Sequence, residues 1–460
     1  MSKFRNKVGL VGLVAISFAV MGPSMAVSLN PQAIAGQVGT AVPTAFLLAV
    51  IPLSIITYSF VVLTKRRGSR GSLYGLVGAE VGPRTGTVAG LWLVFGYLTG
   101  ASITAVSFGI FTANILKETL WEAAPGWLPL LLAVFILPIT SLLATRTISA
   151  LGRLLLVLEG LTMVAILAVS ARTLSKLMTE GGPQGQSVDW SVLQFGGVTV
   201  SGVALALTFA LLSSAGFEGA AAAGEETGNP RKSIPRALVL TTAVSSGFYI
   251  FVALVAVWAF GSSETQIATF TKSGSIVSDM ADTYVSSGVG DLIMIGGAVS
   301  SFACMIGAQI AAGRILSIFG RDKVVSSRFG VLSDRGTPVR ATYAAGASAL
   351  VLTVFAALAT GFNSFSAFEM VSDMAGLLFS AAYATACVAA VTALVREGKK
   401  VLAAIPLLGI AVLATVFLLQ LFPVPSGWEL IAPVFAIVAL VAGAVVGRLR
   451  GNWATKSLAS

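Results

Sequence analysis

The sequence predicts an all-α integral membrane protein. Twelve transmembrane helices form a five-plus-five inverted repeat with broken helices one and six, plus two peripheral helices. Three observations carry this reading. Of 460 residues, 56% are hydrophobic and only 10% charged, too little polar surface to clothe a soluble body of this size. Apolar runs near the roughly 20 residues that a bilayer core demands occur twelve times. Two of those runs, half a chain apart, are interrupted by Gly, Pro or small residues, the sequence pointer to inverted repeats.

The runs lie near 8–34, 39–64, 86–116, 128–146, 149–172, 198–226, 236–261, 288–319, 339–360, 364–395, 402–422 and 429–449. One domain over 1–460 is expected, with repeat one near 8–172, repeat two near 198–395 and peripheral helices near 402–449. The first run continues beyond a signal-peptide core and lacks a cleavage site, so it reads as a span. With the N-terminus inside, 25 of the 29 Lys and Arg residues fall in cytoplasmic segments, against Lys117, Arg172, Lys176 and Lys272 outside. Positive charge retained inside predicts a multi-pass protein of the plasma (inner) membrane with both termini cytoplasmic. The same asymmetry accounts for the net charge of +10. The expected partners are the lipid bilayer and a small-molecule substrate, and no nucleic acid is required.

Composition also narrows the chemistry. There are no histidines and no clustered Cys, Asp and Glu ligands, so neither zinc nor haem is expected. Without a phosphate loop or a nucleophile–base pair, no cofactor and no enzyme activity are expected. Cys304 and Cys387 fall inside spans and read as small polarisable core residues.

Taken in order, the first span breaks at Gly22-Pro23-Ser24-Met25-Ala26. Proline suits the first position of a new helix and lacks the N–H that continues an old one. The amides of Ser24, Met25 and Ala26 are then expected to face a cavity, where a helix N-terminus favours a carboxylate. After span two, Leu73, Leu76 and Val77 outline a short interfacial helix ending at Gly82-Pro83, either an inner gate or a lipid-surface connector. Span five carries Glu159 at membrane depth, where a charge is costly and usually functional. It is either a proton carrier or a carboxylate that caps a helix or pairs with Arg153. Span six collapses at Leu212-Ser213-Ser214-Ala215-Gly216-Phe217-Glu218. Carbonyls of Ser213, Ser214 and Ala215 are expected to take an ammonium. Glu218 reads as a gate, a substrate contact or a cap in the first turn of the second half-helix. Glu225 and Glu226 read as an inner-gate ion pair with Arg231 and Lys232, or as a solvated helix end.

Span eight holds Ser300, Ser301, Cys304 and Gln309, but Gly307-Ala308 offers no side-chain oxygen to a sodium shell, so proton coupling is preferred. In span ten, Glu369 and Asp373 share a helix face. Asp373 is a second proton-coupling candidate, and Glu369 reads as part of a hydrated outer vestibule.

Three stretches together resemble the amino acid–polyamine–organocation superfamily of transporters. The first is Gly71-Ser72-x-Tyr74 with Gly82-Pro83 and Gly90-x-Trp92. The second is Gly216-Phe217-Glu218 with Glu225-Glu226-x-x-Asn229-Pro230 and Ile234-Pro235-Arg236-Ala237. The third is Arg314-Ile315-Leu316, Arg321-Asp322 and Arg335-Gly336-Thr337-Pro338-Val339. The resemblance implies a midplane site between broken helices one and six and a permease for amino acids or related amines. Some proton-coupled members place a lysine near Glu159. Two departures stand out. The family's usual Gly-rich first break here reads Gly22-Pro23-Ser24, so Pro23 removes one amide from a carboxylate seat. Leu212, Ser213 and Ser214 stand where an aromatic gate is usual, leaving Tyr97 or Phe108 of span three as the alternative gate. A polyamine or organic-anion transporter, or a non-transporting sensor of the same fold, is the competing reading.

Overall fold

In the computed structural model, residues 9–67, 73–146, 149–222, 227–422 and 424–450 are described, and among them every regular element is helical. Helix α1 (Leu10–Met21) ends at Gly22, and α2 (Pro23–Val38) starts one residue later. Gly22 adopts φ +59°, and a Cβ there would lie 3.2 Å from the Cys304 Cβ. A left-handed residue that also faces a neighbouring helix closely selects glycine. Pro23 then supplies the helix-compatible φ of a first turn.

A short turn leads to α3 (Val42–Arg67), followed by α4 (Leu73–Val81), α5 (Pro83–Thr119), α6 (Leu128–Ala144) and α7 (Ser149–Thr179). The second interruption follows α8 (Val200–Leu212), with turns over 213–218 before the single-turn α9 (Gly219–Ala222). Beyond it come α10 (Pro230–Phe260), α11 (Glu264–Lys272), α12 (Ile276–Tyr284) and α13 (Ser287–Arg321). The chain closes with α14 (Val339–Ala359), α15 (Ser364–Arg396), α16 (Lys400–Leu419) and α17 (Ile431–Arg450). Both breaks fall where small residues and proline place them.

Nine helical stretches among the described residues are long and apolar enough to cross a membrane, the first of them, Leu10–Arg66, running through α1 to α3. Leu128–Ala144 and Val200–Leu212 are apolar but shorter. The outer helices turn bulky apolar side chains outward, including Phe135, Leu161, Leu407 and Val438. The interior instead holds Ser24, Asn30, Glu159, Glu218 and Gln309. This inverted surface suits hydrocarbon rather than water. Helix α5 packs against both α13 and α15, α13 touches α1 and α2, and α15 touches α8, so the three border the two breaks. Their close approach depends on small residues, as helix pairs in lipid generally do.

The short helix expected over 73–81 forms, but Leu73, Leu76 and Val77 are buried rather than spread on a lipid surface. Helix α4 packs against α5 and α15 and is pinned by polar contacts. Glu80 accepts from Arg66 at 3.2 Å, the Glu80 carbonyl accepts from Arg396 at 2.8 Å, and the Tyr74 hydroxyl donates to Asp322 at 2.6 Å. Arg66 also contacts Glu397, which pairs with Lys399. At the other end of α15, Lys117 and Lys272 line a chamber of about 630 Å³ with Asn363 and Ser364.

Near that chamber's helices, Asp282 of α12 has its carboxyl pushed up to about 6, by desolvation first and then by the charges of Asp279 and Asp291. A raised folded-state value means the folded form binds the extra proton, so stability increases as pH falls through about 6 and levels off below the ordinary carboxylate range. Asp282→Asn should flatten this acidic branch of a Tm-versus-pH curve measured in detergent. A second outcome concerns packing. A Cβ on Gly109 would sit 1.9 Å from the Pro129 carbonyl oxygen, whereas Gly160 has open space. Gly109→Ala should cost about 1–3 kcal/mol through overpacking, read as a lower Tm, with Gly160→Ala neutral or slightly stabilising.

Candidate functional site

A helix interrupted inside a bundle exposes amides on one side of the gap and carbonyls on the other. At the first break the amides are already engaged. Ser24 N–H donates to Glu159 Oε1 at 2.9 Å, Met25 N–H to Ser300 Oγ at 3.2 Å, and Ala26 N–H to the Gly22 carbonyl at 2.9 Å. The expectation that these three amides face the cavity unpaired is therefore corrected. Glu159 reaches from α7 to the N-terminus of α2, so it caps a helix, and its partner is this amide rather than Arg153. Its second oxygen, Oε2, is buried and accepts no hydrogen bond from a described residue.

The second break is held differently. The Ser213 carbonyl accepts from the Tyr249 hydroxyl at 2.6 Å, and the Ser214 carbonyl from Phe217 N–H at 3.2 Å. Of the three carbonyls expected to be available, only that of Ala215 receives no hydrogen bond from a described residue. Gly216 has φ +100°, and a Cβ would approach Val20 Cγ1 to 2.9 Å. Its N–H donates to Glu218 Oε2 at 3.1 Å. The Tyr97 hydroxyl donates to Glu218 Oε1 and the Tyr383 hydroxyl to Glu218 Oε2, each at 2.8 Å. Glu218 is thus neither a cap on α9 nor a solvent-facing gate. It is a buried clasp joining the second break to α5 and α15. Ser17 joins the breaks to each other, donating to the Phe217 carbonyl at 2.8 Å and accepting from Ala220 N–H at 3.0 Å.

Between the breaks lies a cavity of about 50 Å³ lined by Met21, Met25, Ala26, Asn30, Leu212, Ala215, Gly216 and Phe379, with Tyr97, Thr104 and Cys304 among its walls. Gly22, Pro23, Ser24, Ser213 and Ser214 shape it without lining it. Tyr97 and Val20 also border a larger chamber of about 300 Å³ that includes Ile16, Glu218, Ala311 and Arg314. The Tyr97 ring packs edge-on against Phe379 at 5.5 Å, so these two aromatics stand at the junction. Phe108, the alternative gate, pairs with Phe302 and lines neither chamber.

Asp373 and Glu369 border a separate cavity of about 110 Å³ with Gln37, Gln420 and Glu429, which shares no lining residue with the two central chambers. Glu225 and Glu226 lie outside the described residues. Ser301 bonds within its own helix to Gly297, and Gln309 donates to Thr140, so neither reaches the breaks. Cys304, read from sequence as inert core, donates to the Val20 carbonyl at 2.8 Å.

Asn30, Phe379 and Tyr383 complete the site and escape the sequence reading. Asn30 stands two turns beyond Pro23 on the same helix face, a signal visible in the sequence. Phe379 and Tyr383 are spaced four apart, but an aromatic pair inside an apolar run carries no distinguishing pattern.

Comparisons with known proteins agree with this architecture. A family model described as amino acid permease matches residues 8–446. The low-affinity putrescine importer PlaP of Escherichia coli K12 is 25% identical over 372 residues, covering 79% of this chain and 78% of its own. The branched-chain amino acid permease BcaP of Lactococcus lactis is 20% identical over 364 residues, covering 75% of each chain. A solved manganese transporter of Eremococcus coleocola aligns over 98% of both chains with a TM-score of 0.55 at 15% identity, a likeness of fold.

The geometry of the second break yields a test. Gly216→Ala adds a Cβ against Val20 in a backbone conformation that costs about 1–3 kcal/mol for other residues. A lower Tm and loss of any function that depends on this break are expected. Gly247→Ala, with open space around it, should leave both unchanged.

Proposed function

The chain belongs to the amino acid permease family, and from that premise we propose that it is a secondary active transporter moving an amino acid or related amino compound across the plasma (inner) membrane. On this reading the chain crosses the bilayer twelve times with both termini cytoplasmic. Spans one to five and six to ten form inverted repeats that rock around the central cavity, and the last two spans lie at the periphery. Transport proceeds by alternating access, a rocking of one repeat against the other around a fixed site.

The observation that carries the mechanism is the Glu159 carboxylate on the Ser24 amide, with its other oxygen unpartnered. The proton is the proposed coupling ion and Glu159 its carrier. A proton added at Oε2 neutralises the carboxylate and weakens a charge-assisted hydrogen bond to the helix end. The α2 half-helix is then freer to shift relative to α7, which links proton binding to a change in access. Asp373, remote from the central chambers, is the second candidate for the same role. Tyr97, Phe379 and Leu212 gate the cavity, and the Glu218 clasp holds the closed arrangement together. Among the relatives, one is named for putrescine and another for branched-chain amino acids, which share an amino group and differ in the carboxylate.

Purified protein in liposomes tests this reading. Uptake of a pooled panel of amino acids and amines is measured with an inward proton gradient, with a sodium gradient and with neither. Wild type should concentrate substrate only with the proton gradient. Glu159→Gln should keep exchange and lose accumulation, a fall of about tenfold or more. Normal accumulation by the mutant transfers the role to Asp373. Binding without movement under every gradient replaces the transporter reading with a sensor.

A further inference from the structure

Resting on the transport reading, the hydrogen-bond inventory of the central cavity specifies what kind of amino compound fits it. A free α-carboxylate needs several donors, and the cavity lining has little to give beyond the second N–H of Asn30 Nδ2. Pro23 has no N–H. The amides of Ser24, Met25 and Ala26 are engaged by Glu159, Ser300 and Gly22. At the second break, Gly216 N–H is held by Glu218, and Ala215 N–H by the Leu212 carbonyl. Other side-chain donors of the lining are engaged, Tyr97 to Glu218, Thr104 to the Gly100 carbonyl and Cys304 to the Val20 carbonyl. The buried Ser24 hydroxyl, which has no partner among the described residues, does not line the cavity.

Acceptors, in contrast, are open. Asn30 is only 4% exposed and lines the cavity. Its amide touches Ser213 Oγ at 2.6 Å, while the single Ser213 hydroxyl hydrogen goes to the Phe209 carbonyl at 2.9 Å. The Asn30 group at that contact must therefore be the donor Nδ2, which leaves Oδ1 as an acceptor, and one N–H of Nδ2, without a partner among the described residues. Met21 and Ala215 also line the cavity, and neither carbonyl accepts a hydrogen bond from a described residue. Met21 ends α1 and Ala215 follows the end of α8, so both carbonyls sit at negative helix termini. The positive terminus of α2 is already met by a carboxylate of the chain itself.

We propose that the substrate is an alkyl amine without a free carboxylate. Its ammonium is bound by Asn30 Oδ1 and the Met21 and Ala215 carbonyls, and its hydrocarbon lies against Leu212, Ile103 and Phe379. Glu159 occupies the seat that an α-carboxylate would need, and Glu159 and Glu218 together repel a second negative charge.

The test uses matched pairs, each an amino acid and its decarboxylation product: leucine with isoamylamine, lysine with cadaverine. Liposome counterflow and ligand-induced shifts of Tm are measured on the same wild-type preparation. The amine of at least one pair should half-saturate at a concentration about 100-fold or more below that of its amino acid, the scale expected of a like-charge mismatch. Asn30→Leu should weaken the amine at least about tenfold, the loss of one hydrogen bond to a charged group. Glu159→Ala frees the Ser24 amide and should shift the amine-to-amino-acid ratio toward the amino acid, whereas Glu159→Gln, which still offers an oxygen to that amide, should shift it less. An amino acid that moves or binds as well as its amine overturns the inference and leaves the transport reading standing. Amine binding without movement of any compound supports the inference and defeats the transport reading. If the Glu159 variants fail to fold, the wild-type pairs still decide.

Discussion

Hydrocarbon offers no hydrogen-bond partner to a backbone group, so a helix broken inside a membrane protein must find partners within the fold. Here the demand is met at the α2 N-terminus by the Glu159 carboxylate on Ser24 N–H, with Ser300 on the adjacent amide. The gap at Gly22-Pro23 depends on this cap, and the central cavity depends on the gap. A buried carboxylate at a helix N-terminus is also electrostatically suited to its place, because the dipole stabilises the charge that burial penalises.

The second break is stabilised by a different logic. Glu218 gathers two phenolic hydroxyls and one amide, and the phenols come from two helices, α5 and α15, that pack against each other. One side chain thereby fixes the positions of α5, α15 and the unwound segment relative to one another. Tyr97 belongs both to this clasp and to the junction between the two chambers. Any motion that opens the junction must therefore disturb Glu218.

Polar chemistry is concentrated in the interior and at the two ends of the bundle, and apolar side chains cover the flanks. The end carrying Arg66, Glu80, Arg396 and Glu397 is tied together by ion pairs. The other end keeps Lys117 and Lys272 on an open chamber. Helix α4 shows how far this organisation departs from a lipid-surface device. Its apolar face, legible as Leu73, Leu76 and Val77, is buried in the bundle, where α4 packs on α5 and α15. Glu80, seven residues after Leu73 on that same face, and Tyr74 tie it to charged groups of the protein.

Much of this architecture is legible in the chain itself. Long apolar runs, sparse charge and the residues Gly22-Pro23 and Ser213 to Gly216 determine an all-helical membrane protein broken at two stated points. These are local constraints: proline removes a donor, and glycine adopts the positive φ found at 22 and 216 without the steric cost a side chain brings. Glu159 and Glu218 stand out in sequence because a carboxylate at membrane depth needs a reason. What each carboxylate touches was decided only in three dimensions. The Ser24–Glu159 bond spans 135 residues, Tyr97–Glu218 spans 121 and Tyr383–Glu218 spans 165, separations at which no periodicity carries information. Whether an amide at a break is open or occupied is a fact of packing between helices. So the sequence located the cavity, and the tertiary structure decided which of its donors are taken, the break amides among them, and which of its acceptors are open.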